Sequence, residues 1–199
     1  MAYIIGITGS IATGKTTVSN YLIEKGYQVI DSDVLAYEAL TTDLYCIQQV
    51  KKQFPEVFKN NQIDRSQLGE IIFNNPKRKE ELNRIVHPYV ISRLKKIKNS
   101  KIDQSDILFF DIPLLFEIGL EYLCNQVWVV YTPYFLQLER LIKRNNLSEE
   151  EAIARIRSQM CIDDKVKKAD KLLDNQKGIN VLQQQIEELL KELNNGING

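Results

Sequence analysis

At 199 residues, 44% of them hydrophobic, the chain can bury roughly 70% of the surface its unfolded form exposes and suits one domain with an excursion. Its 26 basic and 26 acidic residues cancel and its pI is near 6.6, which excludes the general basic field of a nonspecific nucleic-acid binder. Cys46, Cys124 and Cys161 are odd in number and widely spaced, so neither a disulfide framework nor a C-x-x-C zinc site is expected, and a reducing cytosol fits. No apolar run approaches the ~18 residues that span a bilayer. With no basic stretch and long apolar region ahead of the first strand, a soluble, unprocessed, cytoplasmic protein is expected.

In chain order, Tyr3-Ile4-Ile5-Gly6-Ile7 predicts a short buried strand and Thr17 to Lys25 a helix closed by Gly26. Between them Gly9-Ser10-Ile11-Ala12-Thr13-Gly14-Lys15-Thr16 fits the phosphate-cradling pattern G-x-x-x-x-G-K-[ST]. The glycines let backbone N–H groups turn inward, Lys15 reaches the β- and γ-phosphates, and the Thr16 hydroxyl can ligate Mg²⁺. The helix N-terminus adds partial positive charge, so a bound nucleoside triphosphate is expected.

Tyr27 to Ile30 predicts a second strand ending at Asp31-Ser32-Asp33, and Val34 to Leu40 a helix that Asp33 can cap. From about Thr41 to Ser100 the pattern is almost wholly helical, with Asn75-Pro76 as a start signal and a stretch from Lys77 to Lys98 interrupted by Pro88. This block resembles an inserted lobe. Ile107 to Asp111 and Val127 to Tyr131 are continuously apolar, as parallel strands covered on both faces require. Tyr134 to Arg144 predicts a helix, and Ser148-x-x-Glu151 a capping box opening another toward Gln159.

Lys171 to Asp174 predicts a last strand. The final helix carries Ile179, Leu182, Ile186, Leu189, Leu190 and Leu193 on one face, and Asn194 to Gly199 reads as a frayed tail. Lys95-Lys96-Ile97-Lys98 and Lys165-Val166-Lys167-Lys168 read as solvated faces. Five strands alternating with helices predict a three-layer α/β fold around a five-stranded parallel sheet.

Phosphoryl transfer needs a cradle, a metal, a group that orients the nucleophile and arginines that spread charge. Asp31 and Asp33 follow a strand and so fall at the carboxyl edge of the sheet, where open α/β folds bind ligands. Asp33 either accepts a proton from an acceptor hydroxyl or caps its helix. Asp111 ends a strand, where it either stands on the Mg²⁺ side, through water, or forms a turn. Arg140 and Arg144, one helical turn apart, belong either to a closing lid or to a solvated face paired with Glu139 or Glu149. His87 is a single histidine, which favours a structural hydrogen-bonding role.

Taken together the residues resemble the dephospho-coenzyme A kinase family along nearly the whole chain. The resemblance rests on Ile7-Thr8-Gly9 with the loop, Asp31-Ser32-Asp33 with Leu35-Ala36, Asp64-Arg65 with Leu68 and Phe73, His87-Pro88 and Ile112 to Glu117. Gln137, Arg140, Arg144, Gln159, Ala169-Asp170 and Asp174-Asn175 follow in order. It implies transfer of the ATP γ-phosphoryl group to the ribose 3′-hydroxyl of dephospho-CoA, on a P-loop fold of nucleoside-monophosphate-kinase type. The implied core is about 1–40 and 105–193, with a helical acceptor lobe about 41–100 and a lid about 140–165.

The resemblance further implies Lys15, Asp33 and Arg140 as catalytic, with Asp33 the base. Gly9, Ala12, Thr13, Gly14, Lys15, Thr16, Thr17, Arg144 and Asn175 fall to ATP, Asn175 near the adenine. Asp33, Arg65, His87, Pro113, Leu114, Leu115 and Glu117 fall to dephospho-CoA. The implied small molecules are ATP, Mg²⁺ and dephospho-CoA, with no nucleic acid, membrane or obligate protein partner.

The family's loop usually reads Gly-Gly-Ile-Gly-Ser-Gly-Lys-Ser. Here Ser10 and Ala12 stand in place of glycines, and their Cβ atoms restrict positive φ. A kinase of nucleosides or of a shikimate-like alcohol is the nearest rival. A GTP switch would need an N-K-x-D loop, which the chain lacks, and a D-x-x-G turn, where Asp111-Ile112-Pro113-Leu114 stands instead. A nucleic-acid-dependent ATPase is disfavoured by the zero net charge.

Overall fold

The computed structural model describes residues 2–59, 62–100 and 107–197. Strand β1 (Tyr3–Gly9) is buried at every position after Tyr3, and the loop behind it enters helix α1 (Lys15–Glu24). Gly26, at φ 86°, closes α1 in a Schellman turn: its N–H donates to Ile23 O at 2.9 Å and Tyr27 N–H donates to Leu22 O at 3.0 Å. The reversal leads into β2 (Gln28–Asp31) and then α2 (Ser32–Thr41). The expected helix at Val34 therefore starts two residues earlier, and its cap is Asp31, not Asp33. The Asp31 carboxylate accepts from Asp33 N–H at 2.7 Å.

The chain divides into two compact units, Met1–Ile30 with Lys101–Gly199 and Asp31–Ser100. In the second unit α2 is followed by α3 (Leu44–Gln53), a short antiparallel pair β3 (Phe58–Lys59) and β4 (Gln62–Ile63), α4 (Arg65–Asn74) and α5 (Pro76–Asn99). The strand pair is the exception within a block expected to be almost wholly helical. Asp64 caps α4 and Asn75 caps α5, each accepting a backbone N–H three residues on, with Pro76 at the first helical position. Pro88 does not interrupt α5, which runs unbroken for 24 residues. Leu82, Val86, Val90 and Leu94 form a buried stripe on both sides of the proline, and α2, α3 and α4 pack on α5. That burial offsets the ~3 kcal/mol an interior proline costs.

The first unit continues with β5 (Ile107–Asp111), β6 (Gln126–Tyr131), α6 (Tyr134–Asn145), α7 (Glu149–Arg157), α8 (Ile162–Lys167), β7 (Lys171–Asp174) and α9 (Ile179–Ile197). The sheet runs β2-β5-β1-β6-β7, with β1 pairing in parallel to β5 and to β6 and β6 in parallel to β7. On one face Ile5, Ile7, Phe109, Trp128, Val130 and Leu173 pack with Val18 and Leu22 of α1 and Leu182, Ile186 and Leu190 of α9. Phe109 meets Trp128 edge-on, with ring centroids 5.5 Å apart.

Both bonds of the expected capping box form at α7, and Asn146, left-handed at φ 50°, closes α6. Helix α8 covers Lys165 to Lys167, where a solvated helix face is expected, and begins earlier, at Ile162. Ile179 is 55% exposed, so it leaves the apolar face assigned to it. Asn194 to Ile197 continue α9 rather than fray, and Asn198 and Gly199 lie outside the described residues. Among the described residues Cys46, Cys124 and Cys161 form no disulfide. Among the described residues no helix is long and apolar enough to cross a membrane.

Candidate active site

The loop from Gly9 to Lys15 leaves the carboxyl end of the central strand. Gly14, at φ 94°, is the N-cap of α1 and makes no side-chain capping bond, so the first-turn N–H groups have no side-chain partner at the cap. A Cβ on Gly14 would lie 2.2 Å from Asn175 Nδ2, and one on Gly9 would lie 2.6 Å from Thr13 Oγ1. Ala12 adopts φ 61° although it has a Cβ, whereas Ser10 is not left-handed. Thus the restriction expected at position 12 is overcome by the loop, and at position 10 it never arises. Ala12→Gly is expected to stabilise the fold by about 0.5–1 kcal/mol, the left-handed penalty less the added chain entropy, raising Tm by about 1–4 °C in a thermal melt. An unchanged or lower Tm would mean that Ala12 bears no strain.

The carbonyls of this loop turn onto protein donors. Ser10 O accepts from Thr13 N–H at 3.3 Å and from Thr13 Oγ1 at 2.9 Å. Thr13 O accepts from Asn175 Nδ2 at 2.9 Å and Thr132 Oγ1 at 3.1 Å. Gly14 O accepts from Thr17 N–H at 3.0 Å at the head of α1. With the Ser10, Thr13 and Gly14 carbonyls committed, N–H groups at the head of α1 remain to meet an anion.

Lys15 pairs with Oδ1 of Asp111, and Ser19 Oγ donates to Oδ2 of Asp111 at 2.6 Å. Asp111 is 3% exposed, on the register that sets it opposite Ile7 of β1. It stands inside β5 rather than in a turn, and each of its oxygens accepts one side-chain donor. Arg140 donates through Nη2 to Asn175 O at 2.9 Å and through Nη1 to Thr132 Oγ1 at 3.2 Å, which sets its guanidinium beside the partners of Thr13 O. Arg144 is exposed and donates to Asn145 Oδ1 at 2.8 Å. The two arginines thus turn to Thr132, Asn145 and Asn175 rather than to Glu139 or Glu149. Thr16 is exposed at the first turn of α1, and Thr17 is half-buried.

After β5 the chain passes Pro113, Leu114 and Leu115, the last fully buried, to Glu117. Pro113 O accepts from Thr8 Oγ1 at 3.1 Å. Glu117 Oε1 accepts from Met160 N–H at 3.0 Å, and its Oε2 is buried with no hydrogen-bond partner among the described residues. Gln159 Oε1 accepts from Ile11 N–H at 2.9 Å. Lys165 departs from its expected place: it is fully buried, not solvated, although Lys167 beside it is exposed. Lys165 Nζ lies 2.9 Å from Glu117 Oε1, 2.9 Å from Pro113 O and 3.0 Å from Gly9 O. Burial pulls its pKa below the ordinary lysine value, against Glu117, which favours the charged form. In a six-residue helix the periodicity is too short to separate one buried lysine from exposed ones. The only signal was the spacing of Lys165 three residues after Ile162, which is also buried.

In the second unit Asp33 is exposed in the first turn of α2, one turn before Tyr37. The Arg65 guanidinium lies 4.2 Å from the centroid of the Tyr37 ring, so α2 and the start of α4 bring Asp33, Tyr37 and Arg65 into one neighbourhood. His87 is half-buried in α5, and burial holds its pKa below the ordinary histidine value.

A strand-loop-helix cradle with its lysine at the head of the helix, on a parallel sheet of this order, makes the chain a P-loop nucleotide-binding kinase. The dephospho-CoA kinase family model, CoaE, matches residues 3–180, and the chain belongs to that family. A dephospho-CoA kinase of Staphylococcus epidermidis is 42% identical over 194 residues, 96% of each chain. Among solved structures, TT1252 from Thermus thermophilus superposes with a TM-score of 0.81 at 36% identity, covering 96% of this chain and 98% of that one. The dephospho-CoA kinase from Campylobacter jejuni superposes with a TM-score of 0.74 at 33% identity, over 98% and 99%.

Proposed function

We propose that this chain transfers the γ-phosphoryl group of ATP to the ribose 3′-hydroxyl of dephospho-CoA, giving CoA and ADP. The observation that carries the reading is the cradle itself: Gly14 left-handed at φ 94°, loop carbonyls held by protein donors, and Lys15 at the head of α1 beside a strand-end carboxylate. Lys15 grips the β- and γ-phosphates, and Arg140 spreads the charge that develops on the transferred group. Residues Gly9 to Thr17 hold the triphosphate, with Arg144 at its outer side and Asn175 toward the adenine. Asp33 accepts the proton of the attacking hydroxyl. Arg65, His87, Pro113, Leu114, Leu115 and Glu117 bind dephospho-CoA.

The residues fit a magnesium ion sparingly held by protein. Thr16 offers a hydroxyl at the head of α1, and Asp111, its oxygens already engaged by Lys15 and Ser19, acts through water. Mg²⁺ asks for no more when phosphates and waters supply most of its six ligands. Bound, it neutralises charge on the β- and γ-phosphate oxygens. The lid, about 140–165, closes over ATP and excludes water.

Purified protein with Mg-ATP is expected to form CoA from dephospho-CoA faster than it phosphorylates nucleosides, nucleoside monophosphates or shikimate, measured by coupled ADP release and product chromatography. Equal or faster turnover of any of those acceptors would overturn the assignment.

A further inference from the structure

We propose that Lys165 is a positioning residue for the phosphate loop, fixing through one buried ammonium the carbonyl of Gly9, the carbonyl of Pro113 and the carboxylate of Glu117. The role rests on the phosphotransferase reading above, because it describes how the cradle of that reaction is kept in shape. An ammonium has three N–H donors and no acceptor, and Gly9 O, Pro113 O and Glu117 Oε1, all within 3.0 Å, use them up. Nothing is left to reach a phosphate. Lys165 acts on the loop, not on the substrate.

The entry peptide is where such control matters. A peptide unit is planar, so holding the Gly9 carbonyl also fixes the plane of the Ser10 N–H on its opposite side. Gly9 itself has no slack: a Cβ there would meet Thr13 Oγ1 at 2.6 Å and Val130 O at 2.9 Å. The Thr13 and Gly14 carbonyls have donors from Asn175, Thr132 and α1, and Ser10 O has Thr13. Gly9 O is served by Lys165. Without it the carbonyl at the mouth of the cradle loses its side-chain donor, and its peptide is free to tilt, so the bound triphosphate keeps its other donors but loses the alignment that in-line transfer requires.

The connection between α7 and α8 makes two more ties to this end of the sheet. Gln159 Oε1 takes Ile11 N–H at 2.9 Å, and Met160 N–H donates to Glu117 Oε1 at 3.0 Å, so Glu117 accepts both from the connection and from Lys165. The ammonium therefore links three segments distant in sequence, the loop entry, the chain after β5 and α8. A fully buried charge is kept only where such partners are in place.

The test uses the full chain with Lys165→Met and Lys165→Arg, and Lys167→Met as an exposed control. Lys165→Met is expected to lower kcat about tenfold or more while the Kd for Mg-ATP moves less than about threefold. Lys165→Arg, which keeps the charge, is expected to recover most of the loss, and Lys167→Met to stay at the unmodified rate. Independently of any acceptor, hydrogen exchange of the amides from Ser10 to Thr16 should quicken about tenfold in folded Lys165→Met, with the middle of α9 unchanged.

Lys165→Met with kcat within about twofold of the unmodified chain overturns the proposal, as do equal losses in kcat and Mg-ATP affinity or unchanged loop exchange. If Lys165→Met does not fold, Lys165→Arg decides: turnover within about threefold and native loop exchange support the charged tie, and a folded variant falling about tenfold overturns it. An unmodified chain that leaves dephospho-CoA untouched sinks the assigned reaction. The exchange measurement then still decides the role of Lys165.

Discussion

Replacing Asp33 by Asn is expected to lower kcat about 10²-fold or more, close to 2.7 kcal/mol of barrier, with KM for ATP and dephospho-CoA changed only a few-fold. The exchange replaces a basic carboxylate oxygen by an amide nitrogen of nearly the same size. The helix that begins here is capped by Asp31, which accepts from the Asp33 backbone N–H at 2.7 Å, a bond that the backbone of the variant retains. Asp33 is exposed in the first turn, so a neutral amide there buries no new polar group. Tm should therefore shift by no more than about 1–2 °C, and steady-state kinetics at matched folded fraction read the chemistry alone. Turnover within about threefold of the unmodified chain would show that the hydroxyl loses its proton to another group, or to solvent after transfer.

Gly14→Ala should damage both stability and nucleotide binding. Its φ of 94° is strained for any residue with a Cβ, at about 1–2 kcal/mol, and that Cβ would stand 2.2 Å from Asn175 Nδ2. Asn175 must then withdraw from Thr13 O, giving up a buried hydrogen bond worth about 1 kcal/mol. The sum, about 2–3 kcal/mol, corresponds to a fall of about 4–12 °C in Tm, and Mg-ATP affinity should drop at least about tenfold by calorimetry because the cradle changes shape. Adding Asn175→Ala relieves the collision and leaves the backbone strain, so the double variant should recover part of the stability and little of the affinity. Full recovery would assign the whole effect to the collision.

The sequence displayed the inner strands β5 and β6 well because they are continuous apolar runs, and burial on both faces leaves no other reading for Ile107 to Phe110 or Val127 to Val130. The phosphate loop was legible for a different reason, since its fixed glycines and lysine are demanded by backbone shape and charge. Elements settled by side-chain partners were not legible. Asp31 and Asp33 are chemically identical, and only the direction of the chain leaving β2 decides which one caps α2. Pro88 reads as a break because local rules carry no knowledge of the stripe from Leu82 to Leu94 that holds α5 together across it. Lys165 reads as solvated because its acceptors belong to residues 9, 113 and 117, far off along the chain. The assignments of Asp33, Arg65 and His87 to the acceptor came from family resemblance rather than from spacing.

Strand β1 lies third of the five in the sheet, bonded along both edges, and the cradle is its direct extension. The stretch of backbone that must not yield when a highly charged tail arrives is thus the one with the least freedom to yield, since displacing it means breaking two ladders at once. Rigidity at the phosphates is inherited from the middle of the molecule. Adaptation to the incoming nucleotide falls to the rim, where swapping one hydrogen-bond partner for another is cheap.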